Sequence, residues 1–143
     1  MSSAGLDVFD DTIQKTNIWL KEIMEEIGPD RQRAYHALRA VLQTVRDRLT
    51  IDEAAHLAAQ LPLMVRGIFF EGWRPAENPT KERSRDAFVA QVDERLKFIR
   101  PIDPEDAIRA VFKVLQHRVT GGEIEDVKRM LPQDLQPLWP QGV

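Results

Sequence analysis

The chain has no cysteine. That removes disulfides, thiolate nucleophiles and cysteine-ligated metals from the chemistry open to it. It also lacks any apolar stretch near the ~18 to 20 residues needed to cross a bilayer, the longest being the short run around Gly67 to Phe70. The N-terminus turns acidic at Asp7, Asp10 and Asp11 and carries neither a basic region nor an apolar run, so it does not read as a signal peptide. Glycine is scarce, at 7 of 143 residues. With alternating β-branched patterns nearly absent as well, strands are disfavoured. An excess of positive charge is missing too. Against 20 Lys and Arg stand 23 Asp and Glu, and a net charge of -3 suits a polyanion poorly unless the basic residues gather on one face. The expectation is a soluble protein of the bacterial cytoplasm with no membrane association.

What the chain does have is internal repetition. The segment from Ala37 to Phe69 returns without a gap 70 residues later as Ala107 to Trp139. Identical pairs include Ala37/Ala107, Arg39/Arg109, Val41/Val111, Arg48/Arg118, Thr50/Thr120, Glu53/Glu123, Leu61/Leu131 and Pro62/Pro132. Self-similarity at a fixed period marks a duplicated structural unit. An all-α fold follows as the expectation, one domain over residues 1–143 built from two repeats of about four helices. Repeat one covers 7–70, a connector 71–79 and repeat two 80–139. A unit this small exposes an apolar side when alone, so the two are predicted to close over a common interior as one helical bundle, face to face or stacked.

The first helix is predicted over residues 7–27. There Val8, Ile13, Thr16, Trp19/Leu20, Ile23/Met24 and Ile27 recur at three- and four-residue steps before Gly28-Pro29. Phe88, Val92 and Leu96 repeat the spacing of Trp19, Ile23 and Ile27 and place a counterpart after Thr80 or Ser84. In the second helix, Leu38, Val41, Leu42, Val45 and Leu49 map onto Ile108, Val111, Phe112, Leu115 and Val119, an apolar stripe in both copies. Thr50 and Thr120 then precede Glu53 and Glu123 by three residues, the spacing of a capping box. In that motif the hydroxyl accepts from the third helical amide while the Glu reaches back to the cap amide. Pro62 and Pro132, each after a leucine, are predicted to start a further short helix.

The run from Leu61-Pro62 through Arg66-Gly67-Ile68-Phe69-Phe70-Glu71-Gly72-Trp73-Arg74-Pro75 resembles the bacterial family known only as domain of unknown function 2267. The resemblance extends over nearly the whole chain, through the Arg-containing second helix, the Leu-Pro step, the Glu-Gly-Trp segment and a second half beginning near Phe88. It implies an all-helical duplicated domain without an established activity, and it assigns no functional residue.

Candidate sites are few. Glu53 and His56 have the Glu-x-x-His spacing that puts two metal ligands on one helical face. The matching Glu123-Ile-Glu-Asp126 lacks the histidine, and the capping box already uses Glu53, so no metal or other cofactor is expected. His36, His56 and His117 occupy inequivalent positions and lie in no nucleophile motif, so no catalytic residue is expected and the chain does not read as an enzyme. Arg39 and Arg109, like Arg48 and Arg118, read as structural partners of carboxylates or carbonyls rather than as an anion site. The Thr50 to Phe70 stretch imitates helix-turn-helix, yet offers only Arg66 for reading DNA, and nucleic acid is not expected. Phe70, Trp73 and Arg74 form the best candidate for binding a protein partner, because aromatic and Arg side chains dominate interface hot spots. The bland alternative is that the aromatics staple the halves together. The leading expectation is therefore a non-enzymatic helical accessory or protein-interaction module, acting on a partner or on a second copy. The alternative is a small-molecule or metal binding protein with its site between the repeats.

Overall fold

Helix ends fall where a side chain or a special backbone angle can satisfy the groups that a helix leaves open. The computed structural model describes residues 5–99 and 101–141, and within them seven α-helices, two short 3₁₀ segments and no strand. Residues 1–4, Arg100 and residues 142–143 of the expected domain lie outside this description. Helix α1 (Asp7–Ile27) stops at Gly28, whose φ of 112° strains any residue with a Cβ and whose amide closes on the Met24 carbonyl. Helix α2 (Arg31–Arg48) is capped by Asp30, which accepts from the amides of Gln32 and Arg33. Helix α3 (Ile51–Ala59) follows Thr50, and α4 (Leu63–Phe70) begins directly after Pro62. Beyond the 3₁₀ turn Pro75–Glu77 come α5 (Arg85–Leu96), capped by Ser84, and α6 (Pro104–Arg118), capped by Asp103 with proline in its first turn. Helix α7 (Gly121–Met130) and a final 3₁₀ segment, Gln133–Leu138, complete the chain.

The all-helical expectation holds, and the first helix spans the residues that its periodicity predicted. Two local expectations need correction. Thr120 makes no side-chain cap on α7, whereas Thr50 accepts from the Glu53 amide at 3.1 Å. The last short helix is α-helical only in the first half. Its counterpart after Pro132 contains Pro137, which has no amide to continue an α-helical ladder, and it winds as 3₁₀ instead.

Every residue of the two apolar stripes is buried, from Leu38 to Leu49 on α2 and from Ile108 to Val119 on α6. Helix α1 packs against α2 and α6, α2 against α4, α5 and α6, α5 against α6, and α3 against α7. Polar contacts reinforce the crossings between halves. Glu26 and Glu22 of α1 pair with Lys113 and Arg118 of α6, while Arg95 of α5 reaches Thr44 at 2.6 Å and Asp47 at 2.8 Å on α2. Inside lies a chain of aromatic contacts. Phe112 stacks on Trp139 with centroids 3.9 Å apart and neighbours Phe88, whose ring lies under the Arg48 guanidinium at 5.4 Å. Burial holds the Arg48 pKa below its usual value, so the aromatic face stabilises a cation that has lost much of its water. No described helix is long and apolar enough to cross a membrane.

Candidate metal centre

A three-residue step on a helix puts side chains on the same face, so Glu53 and His56 project together from α3. Helix α7 packs onto α3 and brings up Glu123, the residue 70 positions beyond Glu53. One donor atom from each of Glu53, His56 and Glu123 lies within 4.8 Å of the other two. The arrangement is tense electrostatically. Both Glu53 Oε2 and Glu123 Oε2 are sealed from solvent without a hydrogen-bond partner. A buried carboxylate oxygen left unpaired costs roughly 1 to 3 kcal/mol or more. Burial first, then the Glu53 carboxylate and Asp126, push the Glu123 carboxyl above the usual carboxylate range, and His56 only partly offsets them.

This corrects the role that the sequence gives the two glutamates. The Glu53 amide donates to the Thr50 hydroxyl, but the Thr50 amide makes no return bond to the Glu53 carboxylate, so the capping box is half formed. In the second half neither bond forms. Packing of α3 on α7 turns the two carboxylates towards each other instead. The histidine missing from the second Glu-x-x-His is not needed to gather three donors, because the second half contributes its glutamate alone. What could have signalled this is the repeat itself. It pairs Glu53 with Glu123 in sequence, yet nothing in the local pattern says that α3 and α7 meet.

The donor set has a definite chemical preference. Two carboxylates and one imidazole suit zinc or another divalent first-row ion, with bonds of about 2.0 to 2.2 Å. Three protein ligands leave a coordination position for water. A cation would answer both orphaned oxygens at once.

Most of the other predicted residues have internal partners. Arg39 Nε donates to Glu71 at 2.9 Å, and Arg109 lies 3.9 Å and 3.7 Å from Glu105 and Asp106. Arg66, the one candidate base reader, donates to the carbonyls of Ala58 and Leu61 and so caps the end of α3. His117 lies 3.5 Å from Glu22, and His36 meets Tyr35 edge to face. Phe70 stacks on Trp73, and both are partly buried against the core. The indole N–H of Trp73 donates to Asn78 at 2.8 Å, and the Asn78 amide in turn donates to the carbonyls of Arg46 and Leu49 at the end of α2. Only Arg74 of that trio is exposed without a side-chain bond to a described residue. The aromatics therefore act as a staple holding the connector onto α2. Trp73→Phe keeps the stack and frees the Asn78 oxygen, and should cost about 1 to 2 kcal/mol in urea denaturation. No change in stability would mean that the indole N–H contributes nothing to the fold.

A family model described as "Uncharacterized conserved protein (DUF2267)" matches residues 16–138. No curated protein is similar enough to match the chain.

Proposed function

The chain belongs to this uncharacterised family, and we propose from its geometry that it binds a divalent metal ion between its two halves, through Glu53, His56 and Glu123. The observation that carries this reading is the pair of buried, unpartnered carboxylate oxygens, one from α3 and one from α7, with an imidazole beside them. We propose too that the chain is one helical module written twice and related by a pseudo-two-fold axis. Reciprocal packing supports this. Helix α1 lies on α6 as α5 lies on α2, and the equivalent helices α3 and α7 meet each other. On such an axis the two equivalent glutamates face one another, and a cation there would clamp the halves.

The role proposed is binding, with all three titratable groups serving as ligands. An interaction role through Phe70 and Trp73 has less support, since the indole is tied inward to Asn78. Calorimetric titration of chelator-treated protein with zinc tests the proposal. One equivalent should bind, with affinity rising from acid to neutral pH as the ligands deprotonate, and His56→Ala and Glu53→Ala should each lower the affinity at least tenfold. Failure of zinc, manganese and cobalt to bind, or unchanged affinity in both variants, would sink it.

A further inference from the structure

A second site lies away from the glutamates. We propose that the hollow between the C-terminal half of α2, the connector and the end of α5 binds a phosphate group carried by a small polar molecule. Its volume is about 350 Å³, more than a bare phosphate fills.

The argument is a count of donors and acceptors. Asp47 on the hollow's wall is already engaged at both oxygens, accepting from Arg46 Nε at 2.9 Å and from Arg95 Nη2 at 2.8 Å. Arg46 is only 4% exposed, and its Nη1 donates to the carbonyls of Phe69 and Glu71, so this guanidinium is held in one orientation. Asn78 is likewise fully used by Trp73, Arg46 and Leu49. What remains without a partner on the wall is Arg46 Nη2, Arg95 Nε, the Thr80 hydroxyl and the whole Arg74 guanidinium. All four can donate, and they come from three separate elements. The one side chain left over that can only accept is Glu77, which is exposed.

The charges agree with the donors. Three guanidiniums, Arg46, Arg74 and Arg95, face two carboxylates, Asp47 and Glu77, an excess of one positive charge. Arginines fixed by their own hydrogen bonds suit the oxygens of a phosphate, which accept from several directions at once, better than a flexible lysine would. The lining is mostly polar and offers little apolar surface to attract a lipid tail, so the body attached to the phosphate should itself be polar, such as a sugar.

Calorimetric titration of the full chain with inorganic phosphate and with pyrophosphate, in EDTA, tests this separately from the metal site. Pyrophosphate should bind, weaken with added salt, and lose about tenfold in affinity in Arg74→Ala, as expected for a charge-assisted hydrogen bond. Arg74 makes no side-chain bond to a described residue, so that variant should melt like wild type. Glu123→Gln should bind pyrophosphate unchanged, which separates failure of this site from failure of the metal site. A short DNA duplex is the control for a backbone phosphate. Binding of the duplex in place of pyrophosphate would overturn the proposal. So would the absence of binding by either small anion, or equal affinity in Arg74→Ala.

Discussion

Glu123→Gln is expected to raise the melting temperature of metal-free protein at neutral pH and to lower it below wild type once zinc is added. Burial, chiefly, and then the Glu53 carboxylate hold the Glu123 carboxyl above its usual value of 4.5. The folded state therefore keeps this proton to higher pH than the unfolded state does. Stability contributed by the group is greatest below 4.5, falls as pH rises through the folded pKa, and is lowest above both values. A neutral amide removes that penalty, so the metal-free variant gains at about pH 7 and gains little at about pH 4, where the carboxyl is mostly protonated in both states. Zinc reverses the order. An ion bound only by the native state stabilises it by about 2.7 kcal/mol at a hundred-fold excess over its dissociation constant. For a chain of this size that is a rise of several degrees, and the amide ligand forfeits most of it. Melting scans of both proteins with EDTA and with zinc, at the two pH values, give the readout. Identical curves in all four conditions would show that the Glu123 carboxylate is neither strained nor a ligand.

Phe112→Ala should be the most damaging single substitution in the interior. The Phe112 side chain is wholly buried, stacks on Trp139 with planes 16° apart, and leans on Phe88 with centroids 6.2 Å apart. Its removal leaves a cavity bounded by two rigid rings, one of them under the Arg48 guanidinium, and rings cannot bend to fill it. Truncations of this kind cost about 3 to 5 kcal/mol. Against a total stability of roughly 5 to 15 kcal/mol, that is a large share, and the melting temperature should fall by on the order of 10 °C. Urea denaturation measures the loss, and Phe112→Leu, which keeps much of the volume, should lose distinctly less. A cost under about 1 kcal/mol would mean that the neighbouring helices collapse into the space.

By itself the sequence determined most of the elements and the buried stripes of α2 and α6, while Val8, read as part of the apolar face of α1, is exposed. The three- and four-residue spacing of Val8 to Ile27 and the Gly28 stop suffice for α1, and the stripes on α2 and α6 name core residues that are all buried. These features are legible because helical periodicity, caps and prolines act within a few residues along the chain. Tertiary structure alone decided which side chains share a site. Glu53 reads as a capping residue until α7 arrives opposite it, and Trp73 reads as an anchor until the Asn78 side-chain oxygen accepts from its indole N–H. Asp47 and Arg95 are unremarked in one dimension and Arg74 reads there as part of a protein-binding trio, yet the three share one hollow in three. The physical reason is range. Secondary structure is set by neighbours three or four positions away, whereas the meeting of α3 with α7 depends on how every apolar stripe packs at once, and no local pattern encodes that.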